Sequence, residues 1–395
     1  MEFRPLTKQE LIDEIGKYMN KTSAYMDTNL WDVRNIGDMS NLFAKYSLFN
    51  GDISNWNVEN VRNMRGMFSN ATAFNGDISR WSVYNVTDMS YMFYGATLFN
   101  ADLMNWNTAK VTNMSYMFRI ATAFNRDISR WNVGCVTDMN YMFHGATLFN
   151  ADLVNWDTTK VTNMSYMFYG ATAFNTDISH WNVENVRTMK GMFYGATSFN
   201  RDIVRWNTTK VTNMEGMFAN ATAFNADISH WNVGYVTNME GMFNGATSFN
   251  RDISHWNVGW VTNMSYMFSS ATVFNADISH WNVENVTSMY GMFANATLFN
   301  QNISSWNIAN VTTMNRMFYR TSFNQNISGW NVSNVLNHSN IFQNAHIDLQ
   351  NIPVRFREIV HIPIEYDPHV RSQGGKTKKN RCNKNKSLKS LCQTV

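Results

Sequence analysis

Apolar and polar positions along this chain recur with one long period. Trp31, Trp56, Trp81, Trp106, Trp131, Trp156, Trp181, Trp206, Trp231, Trp256, Trp281 and Trp306 stand 25 residues apart, and Trp330 follows after 24. Counted from its Trp, the unit reads W-N-V-x-N-V-T-N-M-x-x-M-F-x-G-A-T-x-F-N-x-D-I-S-x. Apolar side chains hold the Trp, Val, Met, Phe, Ala and Ile places, with Asn, Asp, Thr and Ser between them. So short a unit cannot bury its own apolar face, whereas stacking on its neighbours buries Trp on Trp and Phe on Phe. The pattern predicts an α/β repeat solenoid of about thirteen 25-residue coils, each a short strand plus a short helix.

Within a unit, Ile78, Trp81, Val83, Val86 and Met89 have the spacing of a leucine-rich repeat, which places the strand on Trp-Asn-Val. Thr87 and Asp88 then read as an N-cap, and Met89, Met92, Phe93 and Ala96 fall at i, i+3, i+4 and i+7, the buried stripe of a short helix. Gly95 sits where a left-handed C-cap is expected. Gly145, Gly170, Gly195 and Gly245 and Asn70, Asn220 and Asn295 hold the same place, and these two residue types enter that conformation most cheaply. Residues 1–30 read as an N-terminal helical cap, with Thr7 and Glu10 at capping-box spacing and Leu11, Ile12, Ile15, Tyr18 and Met19 on one apolar face of a helix over 7–19. The solenoid runs over 31–345, a C-terminal cap containing Ile352-Pro-Val and Ile362-Pro-Ile over 346–370, and a basic tail over 371–395.

Segments such as Phe224-Asn-Ala-Asp-Ile-Ser-His-Trp-Asn-Val-Gly-Tyr-Val-Thr-Asn-Met-Glu-Gly-Met-Phe resemble the 25-residue repeats of BspA-like leucine-rich-repeat surface proteins, known also from mycoplasma lipoproteins. The resemblance covers residues 31–345. It implies a right-handed, leucine-rich-repeat-like solenoid used for adhesion or protein binding, with no catalytic residues to carry over. The chain shows neither a secretory-type N-terminus nor a lipoprotein box, as in the unsignalled relatives of protists and large DNA viruses, so a cytoplasmic, virion or host-cell location is expected.

Composition narrows the chemistry. Cys135, Cys382 and Cys392 stand at unrelated spacings and suggest neither a disulfide framework nor a metal knuckle. Every coil offers the same side chains along a line, so no nucleophile, base and orienting group converge, and we expect no enzyme, no cofactor, no metal and no small-molecule substrate. The Met-x-x-Met-Phe pairs and the Trp column read as core rather than as soft-metal or sugar ligands. The Asp column from Asp52 to Asp277 reads as capping of backbone N–H groups beside an Asn ladder, with calcium as the competing reading.

Function should then lie where the coils differ. Arg80, Arg130, Arg205, His180, His230, His255 and His280 precede their Trp residues and form a mostly basic outward column, with Tyr235 and Trp260 nearby. On the other side Tyr91, Tyr94, Tyr116, Tyr141, Tyr166, Tyr169 and Tyr194 should either point outward as an interface patch of the N-terminal half, since Gly191, Gly216, Gly241 and Gly291 follow at the first of these sites, or lie flat over their own coils. A protein partner is expected, and a glycan is the alternative. Residues 371–395 carry eight basic groups and no acid, leaving 24 basic against 29 acidic groups elsewhere, a net of −5. Such a tail suits an anionic membrane or nucleic acid, and Cys392, fourth from the end, adds prenylation and tethering at a membrane face as a candidate.

Overall fold

The computed structural model describes residues 3–359. Thr7 accepts from the Glu10 N–H at 3.2 Å and opens helix α1 (Lys8–Met19), and Glu10 in turn accepts from the Leu6 N–H at 2.8 Å. Leu11 and Ile15 of α1 are fully buried against the first coil, and Tyr18 meets Trp31 and Phe49 edge-on. After α1 the chain forms a stack of coils joined by parallel one-residue bridges, from Asp38 paired with Asn63 through to Thr313 paired with Asn337.

The coils contain neither the strand nor the helix that the spacing suggests. Each is a succession of turns closed by i to i+3 hydrogen bonds: Trp56 N–H to Ile53, Val61 to Val58, Met67 to Met64, Ala71 to Phe68 and Phe74 to Ala71. An apolar residue opens and closes every one of these turns, which is why all of them face the core. Pairing between coils lies on the Met-Phe segment instead of Trp-Asn-Val. The N–H groups of Met64, Gly66, Phe68 and Asn70 donate to the carbonyls of Asp88, Ser90, Met92 and Tyr94 in the next coil, at 2.6–2.9 Å. A helix would return those donors to its own fourth-preceding carbonyls.

Two residues per coil enforce the difference. Gly66 and Asn70 have φ of 60° and 58°, and the equivalent residues of the other coils, Lys45 of the first coil excepted, also lie in the left-handed region. One left-handed residue every four ends any α-helix and makes type II turns of the segment. The Gly and Asn residues expected as helix C-caps are therefore the third residues of turns. Asp88, expected as an N-cap, accepts from its own Ser90 N–H at 2.8 Å, and the Thr87 hydroxyl donates to the Arg62 carbonyl below it.

The core is a set of aromatic columns. Successive Trp rings from Trp31 to Trp306 are at most 3% exposed; adjacent pairs such as Trp106 and Trp131, or Trp256 and Trp281, have centroids 6.2 and 6.4 Å apart. The Trp31 indole N–H donates to the Tyr25 carbonyl and later ones to a carbonyl 27 or 28 residues earlier, as in Trp81 Nε1 to Ile53 at 3.1 Å and Trp131 Nε1 to Leu103 at 2.9 Å. Phe68 and Phe74 stack within one coil at 3.9 Å and continue as Phe93 and Phe99 in the next. Thr108, Thr158 and Thr208, at a place other coils give to Val, are buried but donate to the Asn132, Asn182 and Asn232 carbonyls.

The Asp column caps backbone. Asp77, Asp127, Asp177, Asp227 and Asp277 accept from the N–H two residues on at 2.8–2.9 Å, and those bonds are the first cause of their lowered carboxyl pKa values. Beside it runs the Asn ladder, in which the Asn50 side chain accepts from the Asn75 N–H, Asn75 from Asn100, and Asn100 from Asn125.

At the far end Ile352 and Phe356 are buried, the latter in a short 3-10 segment (Val354–Ile359). Ile362-Pro-Ile, Cys382, Cys392 and the whole of 371–395 lie outside the described residues.

Candidate functional site

The varied columns emerge on two sides of the stack. Arg80, Arg130, Arg205, His180, His230, His255 and His280 are all exposed, one residue before buried Trp. Tyr235 and Trp260, four residues after their own Trp, are 61% and 64% exposed. Lys110 Nζ stands 3.9 Å over the Tyr84 ring in the same region. Among the described residues no group of three or more His, Cys, Asp or Glu is placed to hold a metal ion.

The Tyr residues form a different kind of surface. Tyr91, Tyr116, Tyr141 and Tyr166 occupy the first left-handed slot of their coils, with φ from 56° to 60°. Their rings do not point freely outward as the spacing suggests: they lie along the stack axis on one another and are half-buried. Centroid separations are 4.3, 4.5 and 4.7 Å in succession. Three residues further on, His144, Tyr169 and Tyr194 make a second column at 4.4 and 4.5 Å, and Tyr94 heads it from below. Arg119, in the second column between Tyr94 and His144, places its guanidinium 5.2–5.8 Å from the Tyr94, Tyr116 and Tyr141 rings and donates to the Tyr94 hydroxyl. Burial between neighbours, with Tyr91 and Tyr141 on either side, pushes the Tyr116 phenol up to about 12.

His144 has the opposite problem. Burial first, and the Arg119 charge second, bring its pKa down to about 4, and its buried Nδ1 has no hydrogen-bond partner. An unfolded chain would take up this proton near the ordinary value of 6.5, before the folded one does. Stability should therefore fall as pH drops from about 6.5 to about 4 and be insensitive to this group above that window. His144→Tyr, the residue that Tyr169 and Tyr194 place at this site, should shrink that loss in thermal melts across the window; an unchanged acid limb would mean that His144 titrates normally.

Sequence reasoning placed the Tyr patch only in the N-terminal half. Tyr266 returns to the same slot at φ 57°, tilted against Tyr290 at 4.9 Å, after three coils that carry Gly191, Gly216 and Gly241. Glu215 and Glu240 border the gap, and Lys190 pairs with Glu215 at 2.9 Å. The signal was present: Tyr266 lies in register with Tyr166, but Gly beside Tyr reads as an ended patch rather than an interrupted one.

No described helix is long and apolar enough to cross a membrane. Leucine-rich-repeat proteins recur among solved structures with low likeness. One from Eubacterium ventriosum is 12% identical, with 84% of this chain and 87% of that chain covered and a TM-score of 0.38. An internalin from Listeria monocytogenes is 12% identical, with 86% and 90% covered and a TM-score of 0.26. A TLR13–ssRNA13 complex is 9% identical over 83% of this chain at a TM-score of 0.28, and this chain spans 56% of the length of that one. No curated protein matches this sequence. The family model described as "Mycoplasma protein of unknown function, DUF285" matches residues 14–129, 100–204, 174–273 and 253–354, overlapping segments that together span 14–354 without a gap, and this chain belongs to that family.

Proposed function

We propose that this chain is a non-enzymatic protein-binding scaffold, of the kind used in adhesion, which displays varied side chains on an invariant stacked core. The observation that carries the reading is the left-handed Tyr column. Left-handed backbone costs an L-residue other than Gly or Asn roughly 1–2 kcal/mol, and ring stacking returns about 0.5–1.5 kcal/mol per pair. Gly serves in the same slot of Gly66, Gly191, Gly216, Gly241 and Gly291 without disturbing the coil. Rings that the fold does not need, aligned on one face, are the composition of an interface.

The test uses that natural equivalence. Replacing Tyr91, Tyr116, Tyr141 and Tyr166 together by Gly should move the melting temperature little while removing proteins that the parent chain captures by photo-crosslinking from its native cell. Capture that survives the four substitutions unchanged would discard this face. Carbohydrate binding is the second reading, favoured by the two exposed rings Tyr235 and Trp260 on neighbouring coils. Attachment to an anionic membrane or nucleic acid through 371–395, with Cys392 as a lipidation site, rests on sequence alone.

A further inference from the structure

The first Tyr column is broken in mid-stack. Gly191, Gly216 and Gly241 fill the slot between Tyr166 and Tyr266, and the rings they omit leave a cleft of about 310 Å³. Tyr166, Tyr169 and Tyr194 wall one end and Tyr266 the other. Paired backbones lie about 4.8 Å apart, so the two walls belong to coils roughly 19 Å apart. The Tyr166 ring leans across Gly191, where an added Cβ would come within 2.5 Å of Cδ1. At Gly241 the nearest atom to such a Cβ is 3.8 Å away, so this end of the cleft is open.

Charge lines the same gap. Glu215 and Glu240 occupy equivalent places in neighbouring coils. Glu215 holds Lys190, whose ammonium lies 5.9 Å from the Tyr166 centroid. Glu240 accepts from the Asn263 amide at 2.9 Å and pairs with no cation among the described residues. Elsewhere on this face the chain supplies its own guanidinium groups to the rings: Arg65 stands 4.7 Å over Tyr91, and Arg119 serves Tyr94, Tyr116 and Tyr141. Beyond the cleft, Arg316 and Arg320 stand 6.0 and 5.0 Å from Tyr319. The cleft has the rings and the carboxylates without the arginine.

We propose that the cleft between Tyr166 and Tyr266 receives an arginine side chain from a basic peptide segment of a partner protein, its guanidinium against a tyrosine face and paired with Glu240. The proposal rests on the protein-binding reading above and names the chemistry of one partner segment. A guanidinium suits the site better than an ammonium, because its planar face stacks on a ring while its edge donates to a carboxylate.

Fluorescence anisotropy on the full chain tests it, with labelled hexaarginine as probe and hexacitrulline, a neutral analogue of nearly the same shape, as control. Hexaarginine should bind saturably and at least about tenfold more tightly than hexacitrulline, and Glu240→Gln should weaken it by about tenfold. Gly241→Tyr, which puts into the open end the residue that Tyr166 and Tyr266 already carry at that slot, should abolish binding. Equal affinity for the two peptides, or hexaarginine binding unaffected by both variants, overturns the proposal. So does an oligosaccharide that Gly241→Tyr blocks and Glu240→Gln spares, which would make the cleft a sugar site. Should Gly241→Tyr not fold, Glu240→Gln still decides. Native-cell capture that depends on Tyr91, Tyr116, Tyr141 and Tyr166 while hexaarginine fails to bind would sink this inference alone and leave the scaffold reading standing.

Discussion

Replacing Trp181 by Ala in the middle of the stack is expected to cost about 3–5 kcal/mol, whereas His180→Ala, one residue earlier, should cost under about 0.5 kcal/mol. Trp181 is 3% exposed, stacks on Trp156 at 6.2 Å and lies 6.2 Å from Phe168, so its loss opens a hole shared by two coils. His180 is exposed and belongs to a column that varies between Arg, His, Asn and Ser, with Leu30 and Gly329 at its ends. Urea denaturation followed by far-ultraviolet circular dichroism compares the two. Similar shifts for both would mean that the inward and outward faces have been exchanged.

The second large effect concerns register. Backbone hydrogen bonds between the 25-residue coils join residues 24 to 26 apart, as in Met64 N–H to the Asp88 carbonyl and Thr87 N–H to Arg62. Excising 182–206 leaves Trp181 followed by Asn207, and each donor meets an equivalent carbonyl. This variant should remain folded and cooperative, losing roughly the contribution of one unit and its interface. Excising 182–193 should split the stack, because the shortened coil cannot present its Met-Phe segment to either neighbour. Near-ultraviolet circular dichroism, which reports packed indoles, should be retained in the first variant and largely lost in the second. Retention in both would show that the coils tolerate any length. One residue is tolerated at the end of the array: where Ala is missing after Arg320, Thr321 takes its place, buried, with its hydroxyl donating to the Phe318 carbonyl at 2.9 Å.

Much of this was legible in the chain. The period alone placed Trp, Val, Met, Phe, Ala and Ile inward, and the Asp and Asn columns were readable as backbone caps because short side chains with acceptor oxygens reach the N–H groups beside them. Secondary structure was not legible. Met89, Met92, Phe93 and Ala96 have the spacing of a helical stripe, yet consecutive four-residue turns put the same positions on one side. Only the left-handed residues separate the two, and Tyr at such a slot argues against the conformation it adopts. Gly191, Gly216 and Gly241 carried the hint, since a column that alternates between Gly and Tyr is constrained by its backbone rather than by its side chain. The cleft itself was not legible, because a gap in a stack exists only where the rings on either side of it are stacked along one axis.

The cleft is a run of coils in which a ring has been left out, and that gives its width a property few surface clefts share. Gene duplication or loss of one repeat inside the run would move Tyr166 and Tyr266 apart or together by a whole coil, with the core columns and hydrogen-bond ladders re-forming unchanged. Specificity in such a chain can evolve by counting. A lineage could lengthen or shorten the slot in steps of one ring, each step yielding a folded protein at once, without the gradual remodelling that a pocket in a globular domain requires.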